Sequence, residues 1–590
     1  MEKTSGPWNP ARVSHRTQPA RTSLTESRIV ATAYELPGTA LNRLVQFLKY
    51  HIWGPSSAFV TCPSAMQDGA AAVIKSQLSE HASLYDERAK LFLADALLRL
   101  SSRNPKIAWT SGQWMTERRG GSDVSNTETL ATHIGEYSQD EYTTTIDNRR
   151  LPLGPWRIDG FKWFSSATDC GMAVLLARTS KGISCFAAPT RFCWQSNGIE
   201  STRLNGIRIQ RLKNKLGTRA VPTAEVELNN MRGYLIGEEG KGVKVISTML
   251  NVTRVHNAVG AAAGFGRGLA IVRAYSKVRQ VAGGHLLKDI PLFRRTIAAQ
   301  ALECRSSTLL AFLTVLLLGM KEHPSPFQLS SIPTIPAVHV SPLLRVLTPL
   351  TKAHTAKSSI VGLQECMESL GGVGYLENTE NQEFNIARLF RDANVLSIWE
   401  GTTDVLGTDL VKVMKGRDQN AVMDAIESWV RSVQNAVSAK NTVETDHGPL
   451  PNLKPYDQWL EGASIQADAL KTIISTEHKV FLASASDIIV SAWASFKHWL
   501  QSTSTEDILA DGRKVQRDIG SIFCAGMLVL DALRDGDIVA LEACRRYIEK
   551  YFNGSVAELS IVSGSSRSEL DALIAFGQDL VDIGNPVAKL

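Results

Sequence analysis

Several chemistries are missing from this 590-residue sequence. Its eight cysteines form no C-x-x-C pair, and none is followed by a histidine at ligand spacing. We therefore expect neither a disulfide framework nor a metal site. The P-loop, the G-x-S-x-G elbow and the H-E-x-x-H helix are also absent, which disfavours phosphate-loop, serine-hydrolase and zinc-hydrolase mechanisms.

Long apolar segments are lacking as well. The longest uncharged apolar run, from Ser306 to Met320, is shorter than the roughly 18 residues that a membrane span needs. We predict that it forms a buried helix, with no membrane partner. The first residues contain no apolar core of a secretory signal, and we predict a disordered basic arm over residues 1–36.

Charge is unevenly distributed along the chain. The total is only +6, yet residues 419–590 contain 23 Asp and Glu against 15 Lys and Arg, whereas the preceding residues contain 35 against 49. An acidic segment repels phosphates and lacks the counterion release that supplies affinity for nucleic acid. The pattern favours phosphorylated small molecules over DNA as partners.

Periodicity divides the chain into helical and strand-rich regions. We predict an N-terminal helical domain over 37–110, a middle antiparallel β domain over 111–238, a C-terminal helical bundle over 239–418 and a helical extension over 419–590. Six prolines lie within residues 323–349, and they predict a loop-forming insertion over 323–349.

The sequence ends in Ala588-Lys589-Leu590, a conservative form of the S-K-L peroxisomal address. We expect recognition by the peroxisomal import receptor, with a mitochondrial or cytosolic location as the alternative.

Glycines recur in GAAAGFGRG, residues 260–268. A dinucleotide loop would need a preceding strand, but here the surrounding pattern is helical. We interpret these small residues as a site of close helix packing.

Three other segments carry candidate chemistry. TERRGGSD, residues 116–123, offers turn N–H groups and hydroxyls to a planar polar ligand. GFKWFSS, residues 160–166, places aromatic and hydroxyl side chains on one strand. In SIWEGTT, residues 397–403, Glu400 has apolar neighbours that raise a carboxyl pKa and suit it to general-base work. Taken singly, each is also typical of a turn, an amphipathic strand or a helix end.

Taken in order, these segments resemble the acyl-CoA dehydrogenase signatures T-E-x-x-x-G-S-D and G-x-K-x-W-I-T. The likeness continues with R-x-x-x-G-G at 279–284, LGGVGY at 370–375 and SIWEGTTDV at 397–405. It covers about residues 40–415 and is greatest toward the AidB-like, alkylation-response branch. The resemblance implies an α+β fold with an N-terminal helical domain, a middle antiparallel β domain and a C-terminal four-helix bundle. The helical extension is additional.

The resemblance also implies an FAD cofactor, a homotetramer or homodimer, and Glu400 as the catalytic base. It places Ser122, Arg254 and Gly401 in the substrate pocket. The residues implied to bind the cofactor are Met115, Thr116, Gly121, Ser122, Phe164, Ser166, Arg279, Gly371, Gly372 and Thr402. Of these, Arg279, Gly371 and Gly372 would reach the FAD of a neighbouring subunit.

The implied reaction is α,β-dehydrogenation of an acyl-CoA thioester, with oxygen or an electron-transfer protein as the acceptor. One alternative is an AidB-like flavoprotein that binds or protects DNA, which the acidic extension opposes. The other is related flavin oxidation of a non-CoA substrate, because Ala282 replaces the phenylalanine usual in R-x-x-F-G. Arg118 and Arg119 replace a common Pro-Gly, either as a phosphate clamp or as solvated surface.

Overall fold

The computed structural model describes residues 29–57, 59, 61–135, 141–196, 199–324, 332–377, 385–442, 476–552 and 567–577. The C-terminal tripeptide and residues 1–28 of the predicted arm lie outside these ranges. The arm prediction is wrong for residues 29–36. Ile29 and Val30 are buried, and Ala31–Tyr34 forms a 3-10 helix, because this segment has apolar side chains to bury.

The chain separates into two compact units. The first comprises Met1–Gly268, Thr314–Ser325 and Thr351–Leu406, and the second comprises Leu269–Leu313, Pro326–Leu350 and Gly407–Leu590. Each is described by itself.

The first unit begins with three helices, as the periodicity predicts: α1 (Ala40–Trp53), α2 (Thr61–Glu80) and α3 (Glu87–Leu100). The Asp86 carboxylate accepts a hydrogen bond from the Ala89 N–H and so caps the start of α3. Helices α1 and α3 each bury one face, which is the arrangement that fixes an amphipathic helix against a core, whereas α2 is buried around most of its surface.

Eleven strands follow in the described part of the middle region. They are β1 (Ser111–Trp114), β2 (Leu130–His133), β3 (Glu141–Thr144), β4 (Arg150–Pro152), β5 (Trp156–Ser166), β6 (Met172–Thr179), β7 (Gly182–Pro189), β8 (Arg191–Ser196), β9 (Ile199–Leu204), β10 (Ile207–Leu212) and β11 (Thr223–Ile236). The predicted β domain is thereby confirmed.

The strands form two sheets. The larger has the order β1-β6-β2-β5-β11-β10, with β7 pairing β6 and β11, and the smaller has the order β4-β3-β8-β9. Most pairs are antiparallel, but β1 and β2 run parallel to β6. Strand β6 is buried along nearly its whole length, as its run of aliphatic residues requires. Together, β1 and β5 form the sheet side of the site described below.

Helices resume after β11: α4 (Gly242–Ser276), α5 (Pro291–Glu322), α6 (Ala337–Ser369), α7 (Gly372–Tyr375), α8 (Ile386–Ala393) and α9 (Thr403–Lys415). The glycine-rich segment lies inside α4, as predicted. A Cβ at Gly268 would come within 2.7 Å of the Leu363 side chain on α6, so the glycine permits close packing of these two helices.

The loop predicted over 323–349 is wrong from Ala337 onward, because α6 contains Pro342 and Pro349 in its interior. A proline inside a helix costs about 3 kcal/mol. Burial of an aliphatic side chain returns about 1.5–3 kcal/mol, and the residues between the prolines are largely apolar. Leu343, Leu344 and Leu347 are all at most 2% exposed, so their burial offsets the prolines.

The second unit is helical and includes the extension. Its helices after α9 are α10 (Gln419–Thr442), α11 (Thr476–Ser502), α12 (Thr505–Ala510), α13 (Gly512–Asp535), α14 (Ile538–Phe552) and α15 (Arg567–Phe576). Arg305 on α5 pairs with Asp531 on α13 at 2.6 Å, so the extension packs with part of the preceding helical region. By length and hydropathy, α5 and His478–Ser502 pass as membrane spans, but 61% of the apolar window of α5 is buried in the protein, as in a core helix.

Candidate functional site

A cavity of about 560 Å³ lies within the first unit, a volume typical of small-molecule sites. Its walls come from α2, the end of β1, β5, α4, α6 and the segment from Val395 to Thr402. Apolar side chains such as Met66, Leu250 and Leu363 make up much of the lining. The polar groups lie on the sheet side, on the base segment, and on α4 and α6.

The sheet side combines the turn after β1 with the end of β5. Met115 and Thr116 leave β1, and Phe164 and Ser166 lie on β5. The Trp163 N–H donates to the Thr116 carbonyl at 2.9 Å, which ties the turn to the strand. The Phe164 ring is 45% exposed, so an aromatic face remains accessible beside the hydroxyls of the two elements.

A buried ion pair between Lys162 and Glu117 stabilises the sheet side. Lys162 Nζ lies 2.6 Å from Glu117 Oε1, and both side chains are at most 3% exposed. Lys162 also donates to the Leu176 carbonyl, and Glu117 accepts from the hydroxyl of Thr129. Because Glu117 directly follows Thr116, this pair fixes the backbone of the turn that borders the cavity.

The base segment, Ser397–Thr402, carries Glu400 in an unusual backbone conformation. Glu400 has φ +56° and Gly401 has φ +99°, and two successive residues with positive φ form a tight turn that aims the Glu400 side chain. The Thr253 hydroxyl on α4 donates to Glu400 Oε2 at 2.7 Å. Lys352 Nζ on α6 donates to the Gly401 carbonyl at 2.6 Å.

Burial raises the pKa of the Glu400 carboxyl above its ordinary value, although the Thr253 hydrogen bond and the charges of Arg254 and Lys352 oppose the rise. Burial lowers the pKa of the Lys352 ammonium to about 7, and Glu400 opposes this change. A carboxyl group with a raised pKa, bordering a largely apolar cavity, has the properties of a general base.

Several polar atoms around the cavity are buried without a hydrogen-bond partner among the described residues. Leaving such atoms unpaired costs free energy, so a polar ligand is the natural partner. They are Gln113 Oε1, His256 Nδ1, Asn257 Oδ1, Ser359 Oγ and Trp399 Nε1, and all five residues line the cavity.

Most residues that the sequence singled out converge on this cavity. Those that line it are Met115, Thr116, Gly121, Ser122, Phe164, Ser166, Arg254, Glu400, Gly401 and Thr402. Three do not line it: Arg279 is exposed in the second unit, and Gly371 and Gly372 are exposed in the first. Their assignment to the FAD of a neighbouring subunit stays a prediction.

The two arginines after Glu117 do not line the cavity. The Arg118 guanidinium stacks on Trp163, 4.7 Å from the ring centre. Arg119 is 72% exposed and lies 3.1 Å from Glu128. In this chain both residues form part of the outer surface of the sheet side.

Sequence reasoning missed Lys352 and Gln113. Lys352 lies on a helix that also carries Arg345 and Lys357, so nothing in the sequence set it apart from exposed cations. Gln113 is on the short strand β1, and only its position two residues before Met115 distinguished it.

The fold combines a helical domain, a mixed β domain and a helical bundle. Its cavity places a glutamate opposite a strand that bears hydroxyl and aromatic side chains. These features define the class of acyl-CoA dehydrogenases. The chain belongs to this family: residues 112–231 match the acyl-CoA dehydrogenase middle domain, and residues 240–415 match the C-terminal domain.

Relatives support the same assignment. The chain is 36% identical over 404 residues to acyl-CoA dehydrogenase family member 11 of Caenorhabditis elegans, covering 67% of this chain and 58% of that protein. It is 31% identical over 303 residues to the putative acyl-CoA dehydrogenase AidB of Escherichia coli, covering 51% and 48%. The chain thus spans about half the length of the curated relatives it matches.

A solved structure, C. elegans ACDH-11 in complex with C11-CoA, superposes with a TM-score of 0.69 at 28% identity. The alignment covers 97% of this chain and 83% of that chain, and therefore includes most of the helical extension.

FAD is the cofactor of this family, and the sheet side fits a flavin. The Thr116 and Ser166 hydroxyls supply hydrogen-bonding groups, the unpartnered Gln113 Oε1 is an acceptor for a ring N–H, and the exposed Phe164 face allows stacking. A Cβ at Gly121 would lie 3.2 Å from the Thr116 side chain, so the glycine keeps the turn compact.

Proposed function

We propose that this protein is an FAD-dependent acyl-CoA dehydrogenase in which Glu400 removes the α proton of an acyl-CoA thioester. The observation that carries the proposal is the raised pKa of a cavity-lining glutamate held in place by Thr253. The flavin-compatible sheet side of the same cavity supports it, as does the family membership.

The cavity lining supports a fatty acyl group as the substrate's reacting part. Side chains from α2, α4 and α6, including Met66, Ile246 and Leu363, present apolar surface, and burial of each acyl methylene contributes about 0.8 kcal/mol. Gly260 and Gly264 on α4 leave room between the helices. The C. elegans structure holds C11-CoA, which supports a thioester of similar kind here.

The protein's part in the reaction follows from the base segment. The ionised Glu400 carboxylate takes the α proton, and the Thr253 hydroxyl fixes the orientation of its Oε2. The Glu400 backbone N–H has no hydrogen-bond partner among the described residues, so it is free to stabilise the negative charge that develops on the thioester oxygen. Bound FAD supplies the acceptor for the hydride that leaves the β carbon. The apolar walls exclude water from the deprotonated substrate.

Anaerobic mixing of the FAD-loaded protein with acyl-CoAs of increasing chain length tests the proposal. We expect flavin absorbance to bleach with at least one thioester and the enoyl-CoA product to form. Glu400→Gln should lower the bleaching rate about 10²- to 10⁴-fold, the usual contribution of a general base, while retaining FAD. Glu87→Gln, at an 89% exposed position, is the matched control and should behave like the wild type.

The proposal is wrong if no thioester bleaches the flavin, or if Glu400→Gln bleaches it as fast as the wild type. Oxygen consumption, followed in the same samples after air is admitted, distinguishes oxygen from an electron-transfer protein as the acceptor.

A further inference from the structure

Lys352 is a fully buried cation beside the base segment. Its side chain has no exposed surface, although it is among the larger side chains of the protein. Burying an ammonium group is costly unless the charge is compensated. Lys352 does not line the cavity, so direct contact with the substrate does not account for its position.

The contact that Lys352 makes is with the turn that carries the base. Its Nζ donates to the Gly401 carbonyl at 2.6 Å. The Glu400 backbone, at φ +56°, is in a conformation that is unfavourable for a non-glycine residue and persists only when its surroundings hold it. The hydrogen bond from Lys352 fixes the next peptide group and so helps to hold this conformation.

Lys352 also supplies charge. The charged or titratable groups that face Glu400 are Arg254 from α4, Lys352 from α6 and Cys62 from α2, whose thiol has its pKa raised to about 12 by burial and is neutral. Lys215 acts on Cys62 from the loop after β10. Arg254 contacts the base through the Glu400 backbone carbonyl, at 3.4 Å.

We propose that Lys352 is the positioning residue of the base: it fixes the turn that carries Glu400 and adds a buried positive charge to that of Arg254, so that the Glu400 carboxylate can ionise in an apolar cavity. The inference rests on the proposed function, because it assumes that Glu400 is the base. Burial holds the pKa of the Lys352 ammonium at about 7, so the side chain carries its positive charge below that pH.

The test isolates proton removal from hydride transfer. 3,3-Dimethylbutanoyl-CoA has α protons but no β hydrogen, so the base can act on it while no hydride can leave. Exchange of its α protons in D₂O, read by mass spectrometry across pH 4–9, reports Glu400 alone. Wild type is compared with Lys352→Met, Lys352→Gln and Lys352→Arg, and FAD content and circular dichroism are measured for each.

We expect Lys352→Met and Lys352→Gln to shift the acid limb of the exchange profile by about one unit or more toward higher pH, since each removes an opposite charge beside a carboxylate. Lys352→Arg should leave the limb in place and lower the plateau rate, because it keeps the charge and changes the shape. Lys357→Met, at an exposed position on the same helix, should match the wild type in both respects.

An unchanged acid limb in the neutral variants overturns the inference while the proposed function stands. If Lys352→Met does not fold, the limbs of Lys352→Gln and Lys352→Arg decide the same question. An absence of exchange in the wild type at every pH, together with no bleaching by any acyl-CoA, overturns the proposed function itself.

Discussion

Two carboxylates in the first unit, the buried Asp68 and the half-buried Glu400, have opposite properties. Asp68 on α2 is fully buried and accepts hydrogen bonds from Arg43, Gln46 and Tyr34, while His256 Nε2 lies 2.7 Å from its Oδ2. Burial raises the pKa of Asp68, but the Arg43 charge and these hydrogen bonds outweigh it and hold that pKa well below its ordinary value.

Glu400 is desolvated too, yet one side chain, Thr253, donates to its carboxylate, and the net direction of its pKa is upward. The neighbouring positive charge and the number of hydrogen-bond donors together decide the direction of each pKa shift. A carboxylate with a full set of donors is a structural anion that does not exchange its proton near neutral pH. A carboxylate with few donors has a higher pKa, so it can accept a proton during catalysis.

The largest loss of folding stability should come from removing the Asp68 carboxylate. Asp68→Asn removes the fully buried one of the two carboxylates that compensate Arg43, the other being the partly exposed Glu322, and loss of one partner of a buried pair costs about 3–5 kcal/mol. Urea unfolding followed by circular dichroism measures the change. Glu400→Gln, which removes a carboxylate with few donors, is the comparison and should lose far less. Equal losses in the two variants would contradict the distinction between them.

A smaller loss of folding stability is expected when the buried Lys162–Glu117 ion pair is broken. Lys162→Met leaves Glu117 buried without its cation, but the Thr129 hydroxyl and the Glu128 N–H still donate to it. We therefore expect about 2–3 kcal/mol, at the lower end of the range for such pairs or just below it. Because Glu117 fixes the turn after Thr116, the variant should also release FAD more readily, which a filter-binding assay of free flavin measures. Lys90→Met, at a surface position that pairs with exposed Glu87, should change neither quantity.

The sequence predicted the order of domains because the change from helical to strand periodicity is local information. It also singled out Glu400, Phe164 and Ser166, because their neighbours in the chain make recognisable segments. All three line the cavity, and their roles stay predictions. Sequence reasoning failed where contacts between residues far apart in the chain determine the local structure. Proline counting predicted a loop where the burial of α6 stabilises a helix, and nothing local showed that Lys352 would meet Gly401, 49 residues away.

The dependence of stability on pH should differ in sign between the two carboxylates. The folded pKa of Asp68 is depressed, so its stabilisation is present above the unfolded value of about 3.9 and is lost as pH falls through the folded value. The folded pKa of Glu400 is raised, so its contribution is fully present below about 4.3 and is lost as pH rises through the folded value.

Glu400→Gln should therefore gain stability relative to the wild type as pH increases from about 4, and the gain should level off above the folded pKa. The penalty of Asp68→Asn should instead shrink at acid pH. Thermal melts at matched ionic strength from pH 3 to 8 measure both differences. A Glu400→Gln difference that does not vary with pH would show that Glu400 has no raised pKa in the folded protein.

The smallest expected effect comes from removing the single hydrogen bond that Thr253 donates to Glu400. Thr253→Val keeps the shape of the side chain but removes the hydroxyl that donates to Glu400, and a hydrogen bond to a charged group contributes about 1.5 kcal/mol or somewhat more. With one donor fewer, the Glu400 carboxylate ionises less readily, so the acid limb of the flavin-bleaching rate should shift to higher pH. The rate above the limb should change little, because the less stabilised carboxylate is a stronger base but loses the hydrogen bond that orients its Oε2. Thr253→Ser keeps the donor and should restore the wild-type limb.

If both variants instead lower the plateau equally and leave the limb unchanged, Thr253 acts only through packing, and the donor count does not set the proton affinity of the base.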